Sequence, residues 1–208
     1  MADEIIFYTN PMSRGQIVRW MLEEVGQPYS TEVLGFEQVK SPAYLAINPM
    51  GKVPAIRHGG QVITECAAIC AYLADAFPEA GLAPPMGAAR APYYRWLFFA
   101  AGPVEAAVSN RAAGFQASEQ QSRMLGYGAY ETVMDTLESL LDAGAYIAGD
   151  RFSAADLYLG AQIIFGLRFG TIEKRPAFEA YAQKLLARPA CLRAKAIDEA
   201  LIAQMQKS

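Results

Sequence analysis

The chain has 208 residues, 53% of them hydrophobic and 19% charged, with a formal net charge of −3. That length builds one large domain or two small ones around a sizeable core. A slightly acidic balance without a Lys/Arg cluster excludes a nucleic-acid binder, and the longest apolar run, Trp96 to Val104, is too short to span a bilayer.

"IIFY" (5–8) predicts a short apolar strand. After a polar turn, Ile17, Val18, Met21, Leu22 and Val25 follow the spacing of one helical face, and Gly26 stops the helix. "PYSTEVL" (28–34) reads as a second strand, rich in β-branched and aromatic residues. "SPAYLAIN" is a short helix with Ser41 as cap and Pro42 at its first position. "VPAIR" and "QVIT", separated by "HGG", form a hairpin. "TECAAICAYLADAF" (64–77) is a helix with Thr64 as N-cap.

Composition changes at "PEAGLAPPMGAARAP", which is rich in Pro and Gly and reads as a linker. Beyond it no strand pattern is found. "YYRWLFFAAGPVEAAVSNRAAGF" is a long helix bent at Gly102–Pro103, and 118–143 reads as another long helix. "SAADLYLGAQIIFGLRF" (153–169) opens on a Ser153-x-x-Asp156 capping pattern, which makes Asp156 structural. Two helices that begin with Pro follow, "PAFEAYAQKLLAR" and "PACLRAKAIDEALIAQM". The division is therefore an α/β domain over 1–78, a linker over 79–92 and an all-helical domain over 93–208.

The amino terminus has two early acids, Asp3 and Glu4, and does not read as a secretory signal. Three cysteines without paired spacing point to a reduced, cytoplasmic compartment and a soluble protein. Cys66 and Cys70 lie one helical turn apart, but with His58 as the only histidine they make a poor metal site, so no metal is expected. Cys70 and Cys191 read as buried packing residues, and His58, in the "RHGG" turn, as solvated.

Three local signals occur in one order: "FYTNPMSRGQIVRWMLEEVG", "NPMGKVPAI" followed by "ITECAAICAYL", and "YIAGDRFSAADLYLG". Together they resemble the cytosolic glutathione transferase superfamily over essentially the whole chain. The resemblance implies a thioredoxin-like α/β N-terminal domain and an all-α C-terminal domain. It implies glutathione as co-substrate, held as thiolate for attack on a small hydrophobic electrophile, and a homodimer. The alternatives are a glutathione-dependent reductase, isomerase or dehalogenase on the same fold, or a non-catalytic glutathione-binding protein.

By that resemblance, Val53 before Pro54 pairs with the cysteinyl backbone of glutathione, Lys52 reaches its glycyl carboxylate, and Glu65 and Cys66 hold its γ-glutamyl end. Cys66 stands where a serine is usual, and a thiol is the weaker donor. Lowering a thiol pKa from about 8.5 by about two units takes roughly 2.7 kcal/mol, within reach of a hydroxyl donor and a helix N-terminus. Ser13 falls where beta-like bacterial members have cysteine, and Asn10 where other classes have tyrosine or serine. Ser13 leads as the activating group and Asn10 stands close behind. The electrophile pocket is expected from Met12 in the turn and from Tyr93, Trp96, Glu105 and Asn110 on the bent helix.

Overall fold

The computed structural model describes residues 4–207. Strand β1 (Ile5–Thr9) runs into helix α1 (Gly15–Val25), which Gly26 ends in the left-handed region with its N–H on the Leu22 carbonyl. β2 (Tyr29–Val33), the short α2 (Pro42–Leu45), β3 (Ala55–His58), β4 (Gln61–Thr64) and α3 (Cys66–Ala76) follow. The sheet order is β2-β1-β3-β4, with β1 parallel to β2 and β3 antiparallel to both of its neighbours.

Alternation along β1 divides the core. Phe7 faces α1, where the Arg19 guanidinium lies 5.0 Å from its ring centroid. Tyr8 faces the other way, into a cluster with Val39, Tyr44 and Ala55 that Ile6, Leu34 and Ile47 extend. The sheet is thus covered on both faces, as its parallel pair requires. Ser41 caps α2 as expected, accepting from the Tyr44 N–H at 3.3 Å.

The helical stretch comprises α4 (Arg90–Phe99), a π-turn at Ala100–Val104, α5 (Glu105–Ala112), α6 (Glu119–Met124), α7 (Tyr130–Asp142), α8 (Ala154–Phe169), α9 (Pro176–Leu186) and α10 (Pro189–Met205). The bend expected at Gly102–Pro103 is a π-turn: Pro103 has no N–H for the α-helical ladder, and the wider turn accommodates it. The single helix expected over 118–143 is two. Leu125 is extended and Gly128 has φ +69°, which separates α6 from α7.

At the start of α8, Asp156 is fully buried and accepts from the backbone N–H groups of Ile147 and Ser153 and from the hydroxyls of Ser153 and Tyr181, at 2.7–2.9 Å. Burial pushes its carboxyl upward against these four donors, and the Tyr181 phenol is pushed well up by the same burial.

Two compact units result: residues 1–82 with 188–208, and residues 83–187. The last helix differs in place from the sequence reading, which kept it in the helical half. α10 packs on α1, and the reason is electrostatic as well as apolar. Arg19, 1% exposed, donates to Asp198 at 2.8 Å, Arg188 makes a two-pronged bond to Glu24, and Arg193 pairs with Glu23.

Candidate functional site

Strand pairing gathers three polar segments at one end of the sheet. Tyr8 pairs with Ala55 and Ala55 with Thr64, so the end of β1, the start of β3 and the end of β4 lie side by side. The turn 10–14, the Lys52–Val53–Pro54 segment and Glu65–Cys66 extend from those three points. The thiol of Cys66 donates to the Arg14 carbonyl at 3.7 Å, tying the first segment to the third.

Within the turn, Asn10 is fully buried and both ends of its amide are engaged. Its Nδ2 donates to the Leu34 carbonyl at 2.8 Å, and its Oδ1 accepts from the Met12 N–H at 2.9 Å. That geometry ties the turn to the segment after β2. Ser13 is half-buried; its hydroxyl donates to the Asn10 carbonyl at 2.7 Å and accepts from the Gly15 N–H at 2.9 Å. Arg14 is the N-cap residue of α1, and Ser13 caps the first helical N–H from one position earlier. Gly15 is dictated by space: a Cβ there would stand 1.9 Å from Thr9 Oγ1. The Thr9 hydroxyl is buried and has no hydrogen-bond partner among the described residues.

Sequence reasoning missed the residues that shape the second segment. The Tyr44 hydroxyl and Asn48 Nδ2 both donate to the Lys52 carbonyl, at 2.7 and 2.8 Å. Asn48 was visible as the first letter of "NPMGKVP", whereas nothing in the local pattern singles out Tyr44. Burial pushes the Tyr44 phenol up to about 12. The Val53–Pro54 peptide is cis, and among the described residues the Val53 backbone has no backbone partner. Lys52 is exposed.

The third segment starts α3. Thr64 is the last residue of β4 rather than the N-cap; Glu65 takes that place, with φ +68°. A glutamate in the left-handed region is uncommon and costs on the order of 1 kcal/mol or more. The Glu65 side chain makes no cap hydrogen bond to α3, whose N-terminus carries its partial positive charge toward this sheet end.

The remaining candidates scatter by exposure. Met12 is 54% exposed, Glu105 and Asn110 are partly exposed, Trp96 is buried and Tyr93 exposes nothing. In the helical unit, Glu105 accepts from Gln162 Nε2 at 2.9 Å, and Asn110 donates to the Tyr127 hydroxyl at 3.0 Å. The three cysteines are unbridged and buried, as the sequence predicts for Cys70 and Cys191. Burial holds the Cys191 thiol up at about 11 and raises Cys70 well above its ordinary value. His58 is only partly exposed: its Nδ1 is 2.8 Å from the Tyr72 hydroxyl and its ring lies beside Phe77. Among the described residues no group of three or more His, Cys, Asp or Glu side chains is arranged to hold a metal ion.

A four-stranded thioredoxin-like unit, with a polar turn, a loop before a proline and a helix start at one sheet end, followed by an all-helical unit, defines the class. The family model described as "Glutathione S-transferase, N-terminal domain" matches residues 12–76. Glutathione S-transferase 1 of Schizosaccharomyces pombe is 30% identical, over 85% of this chain and 90% of its own length. A glutathione transferase structure from Methylococcus capsulatus superposes with a TM-score of 0.78 at 30% identity, covering 94% of this chain and 98% of its own. A sphingomonad glutathione S-transferase complexed with glutathione gives 0.74 at 28% identity, covering 93% and 98%. The chain belongs to the glutathione S-transferase family.

Proposed function

We propose that the protein is a glutathione transferase that holds glutathione as thiolate and directs it at a small hydrophobic electrophile. One observation carries the reading. Strand register brings the Val53 backbone, which has no backbone partner among the described residues, the N-terminus of α3 at Glu65–Cys66 and the Ser13 hydroxyl to the same sheet end. Glutathione needs all three: backbone partners for its middle, donors for its carboxylates and a donor for its sulfur.

In this reading the γ-glutamyl carboxylate meets the N–H groups of α3, with Glu65 accepting from the ammonium. Lys52 answers the glycyl carboxylate. Ser13 donates to the sulfur while the N-terminus of α1 adds its partial positive charge. Asn10 holds the turn, and Met12, which keeps exposed surface, is the electrophile contact proposed on this unit. The thiolate attacks the electrophilic carbon, a carbon–sulfur bond forms, and the leaving group departs with the electron pair. The thiol proton passes to solvent. A homodimer, a cytoplasmic location and a detoxifying role come with the family reading; no helix among the described residues is long and apolar enough to cross a membrane.

The test has two stages. Glutathione at about 100 Kd should stabilise the fold by roughly 2.7 kcal/mol in thermal unfolding. Turnover of an activated aryl chloride with glutathione should then be saturable in both substrates. No shift at millimolar glutathione sinks the reading; a shift without turnover leaves a glutathione-binding protein that is not a transferase.

A further inference from the structure

The helical unit contains a cleft of about 420 Å³ between the end of α5, the segment that follows it and the start of α7. That volume lies within the range of small-molecule sites. Its wall carries Arg111, whose guanidinium carbon stands 4.0 Å over the Tyr130 ring. Stacking of this kind holds the guanidinium flat and leaves its N–H edge to point elsewhere. Among the described residues that edge has no carboxylate or carbonyl on it, and Glu131, which lines the same cleft, makes no ion pair with it.

The other walls complete a recognisable chemistry. Phe115 is 42% exposed although its backbone N–H is anchored on the Asn110 carbonyl at 2.9 Å, so an aromatic ring is held at the cleft rather than withdrawn into the core. The Tyr127 hydroxyl accepts from Asn110 at 3.0 Å and keeps its own proton to donate. A planar cation, a phenolic donor and an apolar ring around one cavity match a flat apolar body with an anionic end.

The cleft is separate from the Glu105 side of the same helix. Ala107 and Arg111, one turn apart, line it, whereas Glu105 and Ser109 bond to each other about 200° away around the axis. We infer that this cleft is a binding site for a small aromatic carboxylate, with Arg111 taking the carboxylate and Phe115 the ring. The inference does not rest on the transferase reading.

Fluorine NMR titration of the full-length protein with para-fluorobenzoate tests it, with and without saturating S-hexylglutathione. Para-fluorobenzyl alcohol and para-fluorobenzylamine serve as neutral and cationic comparisons. The expected result is saturable binding of the benzoate, weaker binding of the alcohol, and no displacement by S-hexylglutathione. Arg111→Gln should raise the benzoate Kd about ten-fold or more, and Arg111→Lys by less. Tyr127→Phe gives a second, smaller loss and stands in if Arg111→Gln fails a circular-dichroism check of folding. Absence of binding, an unchanged Kd in Arg111→Gln or, in its place, Tyr127→Phe, tighter binding of the amine, or displacement by S-hexylglutathione would each overturn the assignment.

Discussion

Ser13 and Asn10 share one carbonyl, and their bonds to it divide their roles. The Asn10 carbonyl accepts from both the Ser13 N–H, at 3.0 Å, and the Ser13 hydroxyl, at 2.7 Å. The hydroxyl can therefore turn toward a sulfur without leaving that carbonyl unpaired, whereas the Asn10 amide cannot turn without orphaning buried backbone groups. Ser13→Ala should raise the pKa of bound glutathione by about one to two units, read from thiolate absorbance, and lower kcat while the melting temperature barely moves. Asn10→Ala should instead cost about 2–4 kcal/mol of stability in denaturant unfolding, with turnover falling only as folded protein is lost. The reverse pattern would exchange the two roles. Tyr44 gives a pH signature at the same scale. Its folded-state pKa lies near 12 against an ordinary value near 10, so the folded protein keeps a proton that the unfolded chain loses. Stability from this group is complete below about pH 10 and is lost as pH rises toward 12. Tyr44→Phe should flatten that alkaline loss in unfolding midpoints, and by removing one of the two donors that hold the Lys52 carbonyl it should raise the KM for glutathione.

Among elements, α8 depends most on a single side chain. Asp156 collects four donors at 2.7–2.9 Å, from two backbone N–H groups and two hydroxyls. Asp156→Ala strands them in the core and should lower stability by about 3 kcal/mol or more in denaturant unfolding, whereas loss of an ordinary exposed cap costs about 1. This residue was legible because a capping box is a local pattern, and so were the sheet hairpin, the Gly26 stop of α1, the Ser41 cap of α2 and the Pro-led starts of α9 and α10. The break between α6 and α7 was less so: the apolar spacing runs on through Leu125, and only Gly126 and Gly128 mark the interruption. The candidate site followed the same rule. Val53, Pro54 and Glu65 lie in short motifs, while the grip of Tyr44 on Lys52 is a contact across elements that no spacing records.

Over the whole chain, the α/β unit is discontinuous in sequence, since residues 188–208 return to it. Its most buried cation, Arg19, meets an acid 179 positions further along. Burial pushes the Asp198 carboxyl up against the pull of Arg19, and Arg19 Nη2 has no partner among the described residues, so the pair is constrained rather than generously satisfied. Asp198→Ala should cost about 3–5 kcal/mol in denaturant unfolding, and Arg19→Met with Asp198→Leu should recover most of it. A double variant no more stable than the single one would show that the ion pair itself, not the burial of an unpaired charge, sets the loss. The same long reach acts during synthesis. A ribosome finishes the four strands and α1 long before α10 emerges, so the nascent chain carries Arg19 without its acid until Asp198 is made. A stop codon anywhere before Asp198 removes the acid while Arg19 stays, so a message cut short there encodes the first helix without the charge that lets it be buried.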